Sequence, residues 1–333
     1  MVGSANKSLR NAAVAAAWVL GLPAATAAAG MPFNDPADVK AITAIEDALA
    51  TQTDMKGLIG YYAPAAYVQD LMAPGIYRGR KQIEDAFAKQ LAAVKALKSD
   101  VQDINILSDG KLACAALRVV FTMSMKDGST LVAGTRQLDA FKKIDGKWEI
   151  EEEQISVPLD PKTGMAEMNA KLPVRGAISW DNPLPGPAVD PAKAKADLKQ
   201  WVVTGSPIVD VDQMVALLGP GDAALLYDLT YPGEYRGQKE IRDAYAPMMS
   251  TLASARIQLG DFADDSDGVM GFQIDTQSLE LKGKDGSTKI VSFRESDCFH
   301  VVDGKWKSFF EMLSFPVDPK TGKSITADPK AFK

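Results

Sequence analysis

The sequence predicts an α+β fold built twice: two tandem cone-shaped domains, each with about three helices packed in a strongly curved antiparallel sheet. Three observations carry this. The stretch 70–88 recurs at 228–246 with 12 of 19 positions identical. The offset of 158 residues that it sets between Tyr77 and Tyr235 also relates the Asp-Gly-Lys-Trp turns at 145–148 and 303–306 and the Asp-Pro-Lys-Thr-Gly turns at 160–164 and 318–322. No net insertion therefore separates the copies. Within each copy, segments of helical period precede and interrupt four segments bounded by Asp-Gly turns, the short-range signature of antiparallel hairpins. A repeat this long is a duplicated domain, because solenoid units run roughly 20–50 residues.

In the first copy, Asp35 reads as a helix N-cap with Pro36 at the first helical position. Val39, Ile42, Ile45 and Leu49 follow at helical spacing. Asp54 starts a second, short helix. A strand from Ala66 to Met72 is expected to stop at the Pro74-Gly75 turn. Arg80 to Leu97 reads as an amphipathic helix with Ile83, Phe87, Leu91 and Val94 on one face. The meander comprises 101–107, 111–125, 130–144 and 147–157. Period two places Arg136 opposite Asp139, which gives Arg136 and Arg294 a salt bridge at a rim or interface. It also groups Trp148, Ile150, Glu152, Gln154 and Ser156, with Trp306, Ser308, Phe310, Met312 and Ser314 as their counterparts. Glu151, Glu152 and Glu153 read as a charged strand edge. The second copy restarts at Asp190-Pro191, with Leu198, Trp201 and Val202 as its first apolar face. The expected boundaries are domain 1 at 30–165, a Pro/Gly-rich linker at 166–189 and domain 2 at 190–333.

A chain of 333 residues fits two domains. Its net charge of −6, with no basic run, speaks against a nucleic-acid partner. Residues 1–29 have the pattern of a signal peptide: Lys7 and Arg10, a short apolar stretch, then small residues that place cleavage near Ala29. The expected location is periplasmic or secreted, with no membrane anchor after cleavage. That compartment permits a disulfide. However, Cys114 aligns with Phe272 and Cys298 with Ala140, so the two cysteines are expected as separate small buried hydrophobes. The only histidine, His300, is expected on a strand surface. One histidine excludes a His-rich metal site and a duplicated Ser-His triad. No metal and no cofactor is expected.

Several motifs together resemble a known family. They are Tyr-Arg-Gly at 77–79 and 235–237 leading into helices with Ile83 and Ile241, the strands Arg136…Asp139…Phe141 and Arg294…Asp297…Phe299, and the Asp-Gly-Lys-Trp turns. With them go Ser-Val-Pro at 156–158 and Ser-Phe-Pro at 314–316. The chain resembles tandem SnoaL-like domains of the nuclear-transport-factor-2-like superfamily, which includes ketosteroid isomerase. The resemblance covers nearly the whole mature chain. It implies cones that pair through their sheets, here as an internal pseudo-dimer. It also implies acid–base chemistry of isomerase or cyclase type on a carbonyl or polycyclic substrate. Asp70 and Asp228 then occupy the general-base position, and Asp139 and Asp297 the place of a protonated oxyanion donor. The pattern departs in two places. The helix-1 Tyr that completes the oxyanion hole falls at Glu46 and Thr204, and Gln154 and Met312 stand where many relatives carry His.

Gln154, Met312, Tyr77 and Tyr235 complete the candidates for binding a small hydrophobic or carbonyl-containing molecule. Each candidate has a structural alternative. Asp70 and Asp228 can hold the adjacent Pro-Gly turn or pair with Arg78 and Arg236. Tyr77 and Tyr235 can close the cone by packing, and the face holding Gln154 and Met312 can pack against the other domain. A non-catalytic binding module for a small apolar ligand and a scaffold or interaction domain therefore stand beside the enzyme reading, as this superfamily hosts all three.

Overall fold

The computed structural model describes residues 33–168, 174–178, 190–205, 208–328 and 330–332. The leader at 1–29 and most of the linker lie outside the described residues, as do the side chains of Trp201, Val202 and Thr204. The first repeat runs α1 Pro36–Thr51, α2 Met55–Ile59, β1 Tyr62–Gln69, β2 Ile76–Arg78, α3 Arg80–Leu91, β3 Val94–Ser108, β4 Leu112–Met125, β5 Thr130–Ile144 and β6 Lys147–Ser156. The second runs α4 Pro191–Gly205, α5 Val211–Val215, β7 Leu225–Tyr227, β8 Tyr235–Arg236, α6 Gly237–Met249, β9 Leu252–Ser266, β10 Met270–Gly283, β11 Thr288–Val302 and β12 Lys305–Ser314. Each repeat folds its strands into one six-stranded sheet, ordered β2-β1-β6-β5-β4-β3 and β8-β7-β12-β11-β10-β9. The first strand enters parallel to the last in both, and all other neighbours are antiparallel. These are two curved α+β units of the same topology in tandem.

Local chemistry explains the helix starts. The Asp35 carboxylate accepts from the Ala37 amide and Asp54 from those of Lys56 and Gly57, which satisfies orphan donors of α1 and α2. Asp190 repeats the first of these caps through Lys193. Ile42 and Ala50 of α1 and Ile83 of α3 then join Phe141, Trp148 and Ile150 in one apolar cluster inside the first cone.

The structure corrects three local expectations. The helix α3 ends at Leu91 rather than Leu97, because Val94 and Leu97 pair with Met125 and Met123 across the β3–β4 hairpin. The apolar spacing is helical, but the distant hairpin partner overrides it, with a register shift after Val94. The grouping along β6 also breaks. The β5–β6 register shifts between Ala140 and Phe141, so Phe141 faces Ile150 while Ala140 faces Glu152. That bulge at Glu151 reverses the phase: Trp148 and Ile150 point into the cone, but Glu152, Gln154 and Ser156 point out of it. A matching shift between Cys298 and Phe299 does the same to β12. Finally, β6 is interior to its sheet, and Glu152 and Glu153 are buried, so they are not an aggregation-blocking edge.

Residues 31–333 hold both repeats in one compact unit, and the outward faces of the two sheets pack against each other. Their contacts come in reciprocal pairs. The buried Arg136 guanidinium donates to the carbonyls of Asp228 and Gly233, both at 2.6 Å, while Arg294 donates to the carbonyls of Asp70 and Pro74. Gln154 Nε2 donates to Ser314 Oγ at 2.7 Å, and the Ser156 hydroxyl meets Met312 Sδ at 3.1 Å. The C-terminal tails cross too: Leu159 bridges to Thr230 and Val317 to Met72. Position i of one copy thus meets j of the other and j meets i, the rule of a two-fold interface. The two repeats thus meet through reciprocal contacts. Arg136 and Arg294 do serve the interface, through backbone carbonyls rather than salt bridges.

The same rule overturns the expectation for the cysteines. Cys114 and Cys298 form a disulfide between β4 and β11. Their non-equivalence by offset is no argument against pairing, because a two-fold contact off its own axis joins non-equivalent positions. Phe272 and Ala140, the equivalent pair, sit in the same apolar cluster. His300 is also buried, edge-on to Phe33 and Phe309, rather than on a strand surface.

Candidate functional site

The first cone gathers carboxyl groups on its buried inner face. Asp139 on β5 and Glu153 on β6 are cross-strand partners pointing inward, and Glu46 of α1 reaches them from the helix layer. The Tyr62 hydroxyl donates to Glu153 Oε2 at 2.6 Å. Among the described residues no donor serves either oxygen of Asp139. Its neighbour is the Glu46 carboxyl, and two carboxyls bond only if one keeps its proton. Burial pushes Glu46 up to about 8. Burial, with the Glu46 and Glu153 charges, raises Asp139 well above the ordinary carboxyl range. Burial likewise lifts Glu153, to about 7, against the lowering effect of the Tyr62 hydrogen bond. At neutral pH such a cluster retains protons.

Asp70 lies where β1 gives way to the Pro-Gly turn. Its carboxylate accepts from the Leu71 amide at 2.8 Å and from Gln90 of α3. Burial raises its pKa, and those two bonds oppose the rise. It acts electrostatically on Glu153, which joins it to the inner cluster. The turn itself is shaped for the partner repeat. Gly75 has φ +55°, and a Cβ there would lie 2.3 Å from the Met72 carbonyl oxygen and 3.1 Å from Arg294 Nη2. Gly233 is likewise positive at φ +75°, with Arg136 Nη1 2.7 Å from a Cβ position. Only glycine fits both demands.

The second cone keeps three of these carboxyl positions and changes the rest. Asp228, Asp297 and Glu311 repeat Asp70, Asp139 and Glu153 at the 158-residue offset. Asp297 accepts from Ser308 at 2.8 Å and Gln273 at 3.1 Å. Burial lifts it to about 6, held down by those donors. Asp228 accepts from the Tyr245 hydroxyl at 2.8 Å. Asp275 and Glu295 add two further acids, both raised mainly by burial, and among the described residues both Asp275 oxygens lack a hydrogen-bond partner.

The structure therefore brings Asp70 and Asp139 to one cone and Asp228 and Asp297 to the other. It does not bring Gln154 or Met312 there. Both are fully buried between the sheets, on Ser314 and Ser156, because the bulge turned their strand segment outward. Tyr77 and Tyr235 are half-buried and pack on the apolar clusters of their own cones. Glu46, Tyr62 and Glu153 are functional candidates that the sequence reading passed over. One signal for Glu46 was present: it lies four residues from both Ile42 and Ala50, a charge on the apolar stripe.

Residues 39–160 match the family model of the SnoaL-like domain. No curated protein matches the chain. Among solved structures, an NTF2-like protein of unknown function from Pseudomonas putida KT2440 is 18% identical with a TM-score of 0.36, covering 41% of this chain and 94% of that one. A proposed dehydratase of the NTF2-like family from Streptomyces avermitilis is 13% identical with a TM-score of 0.33, covering 36% and 96%. A hexachlorocyclohexane dehydrochlorinase is 10% identical with a TM-score of 0.32, covering 36% and 82%. The family match falls on the first repeat, and the second carries the same strand order.

Proposed function

We propose that this chain, whose first repeat is a SnoaL-like domain and whose second repeats its fold, binds a small neutral carbonyl or hydroxyl compound in its cones and moves protons on it. The observation that carries this is Asp139: a fully buried carboxyl, facing the cone interior, with no donor to either oxygen among the described residues apart from the neighbouring Glu46 carboxyl. A protonated acid beside Glu46 donates to a carbonyl oxygen, and Glu153, lifted to about 7, can exchange a proton near neutrality. Asp70 is the candidate general base of the first cone and Asp228 that of the second. This is isomerase- or cyclase-type acid–base chemistry. A non-catalytic binding module is the second reading. The unequal second cone favours it, since Asp297 there is already engaged by Ser308 and Gln273.

The setting we assign is the periplasm or the exterior. The pattern of residues 1–29 and the Cys114–Cys298 disulfide support it, because such bonds persist in oxidising compartments. The test is native mass spectrometry of the mature chain purified from its own host, beside Asp139→Asn and Asp70→Asn. A bound small molecule in the wild type, lost in Asp139→Asn, is expected. If Asp70→Asn keeps the ligand but stops its conversion, the enzyme reading holds; if conversion continues, the binding module replaces it. An apo mass in all three contradicts both.

A further inference from the structure

A cleft of about 330 Å³ lies outside both cones, between the repeats. Tyr67, Arg78, Lys142, Glu151 and Glu152 of the first repeat line it, and Lys195, Asp264, Asp265 and Phe272 of the second close it. Its cations are committed. Arg78 stacks over the Tyr67 ring at 3.9 Å and pairs with Asp261. Lys142 Nζ binds Asp265 Oδ2 at 2.6 Å, and Lys195 reaches the other Asp265 oxygen at 3.9 Å. Its acids are not all matched. Glu152 is only 5% exposed, and among the described residues its Oε2 has no hydrogen-bond partner. Asp264 Oδ2 has none either.

The opposite flank of the pseudo-two-fold shows what this position can be. There Phe309, Phe310, Leu225 and Leu107 stand in place of Glu151, Glu152, Tyr67 and Asp265, while Arg236 stands for Arg78 and His300 for Lys142. Ile106 replaces Asp264. The four acids Glu151, Glu152, Asp264 and Asp265 of this cleft thus have apolar counterparts on the other flank. A buried carboxyl oxygen without a hydrogen-bond partner can accept from a bound donor, and an ammonium supplies both the donor and the charge that would hold the carboxyl ionised.

We propose that this cleft binds a small organic cation carrying primary ammonium groups, held between Glu152 and Asp264. The volume is at the small end of ligand sites, which suits a short diamine. Burial, then the charges of Asp264, Glu151 and Asp265, raise Glu152 well above the ordinary range, and a bound ammonium would relieve that repulsion. The site needs both repeats and does not depend on the chemistry proposed for the cones.

The test is isothermal titration of the full mature chain with 1,4-diaminobutane, with 1,4-butanediol as the uncharged control. Saturable one-to-one binding of the diamine, absent for the diol, is expected. Glu152→Gln keeps the shape of the buried side chain, so it should fold; its melting curve verifies this. It should weaken diamine binding by at least about tenfold. Asp264→Asn, at the more exposed wall, gives a second variant with the same expected direction. No saturable binding to folded wild type, or equal affinity in folded Glu152→Gln, overturns the proposal.

Discussion

At the scale of single residues, the deciding fact is where protons sit. Glu46 holds its proton up to about pH 8 in the folded chain, against 4.5 ordinarily. The folded state therefore binds more protons than the unfolded one between those values. Its contribution is fully present below pH 4.5 and is lost as pH rises through 8. Glu46→Gln should leave melting unchanged at pH 4 and raise Tm at pH 9 by about 4–8 °C, the equivalent of about 2 kcal/mol. Calorimetry at the two pH values checks this; an equal shift at both contradicts it. Asp139 was legible from its place two residues before Phe141 in the family-like strand. Glu46 registered only as a missing tyrosine, because no local pattern says which helix residue faces a carboxyl on a strand far along the chain.

At the scale of elements, turns and bulges do the positioning. The Pro-Gly turn after β1 presents its carbonyls to Arg294, and its twin presents them to Arg136. Arg136→Ala strands two carbonyls at a buried interface and should cost about 2–4 kcal/mol in urea unfolding. Arg136→Lys should recover only part, since one ammonium lacks the planar fork. Gly75→Ala should destabilise as well, because its Cβ would meet the Met72 and Asp70 carbonyl oxygens. Helix starts and hairpin turns were readable from Asp-Pro and Asp-Gly. The bulges at Glu151 and Phe309 were not, since a one-residue slip leaves composition and period intact while exchanging the faces of Glu153 and Gln154.

At the scale of the molecule, duplication was the plainest message of the sequence, and the shared strand order of the two sheets carries it. The disulfide was not legible there, because pairing of unlike positions becomes visible only once the two-fold contact is in place. It closes a separation of 184 residues between the repeats. Reduction, or Cys114→Ala with Cys298→Ala, should cost about 2–4 kcal/mol in urea unfolding. The equivalent turns also meet: burial, then the neighbouring Asp267, lifts Asp109 to about 7. Asp109→Asn should therefore stabilise the pair of repeats above neutral pH and change little at pH 4, which thermal melts across pH can read.

The most direct measurement is a carboxyl-carbon NMR titration of the mature chain labelled at Glu and Asp side chains, with Glu46→Gln, Asp139→Asn and Glu153→Gln for assignment. A cone that works through retained protons requires Glu153 to titrate near 7 and Glu46 near 8. If all three carboxyls instead titrate at the ordinary values, about 4, the first cone holds a solvated acidic cluster, and the proton-transfer reading of this protein is wrong.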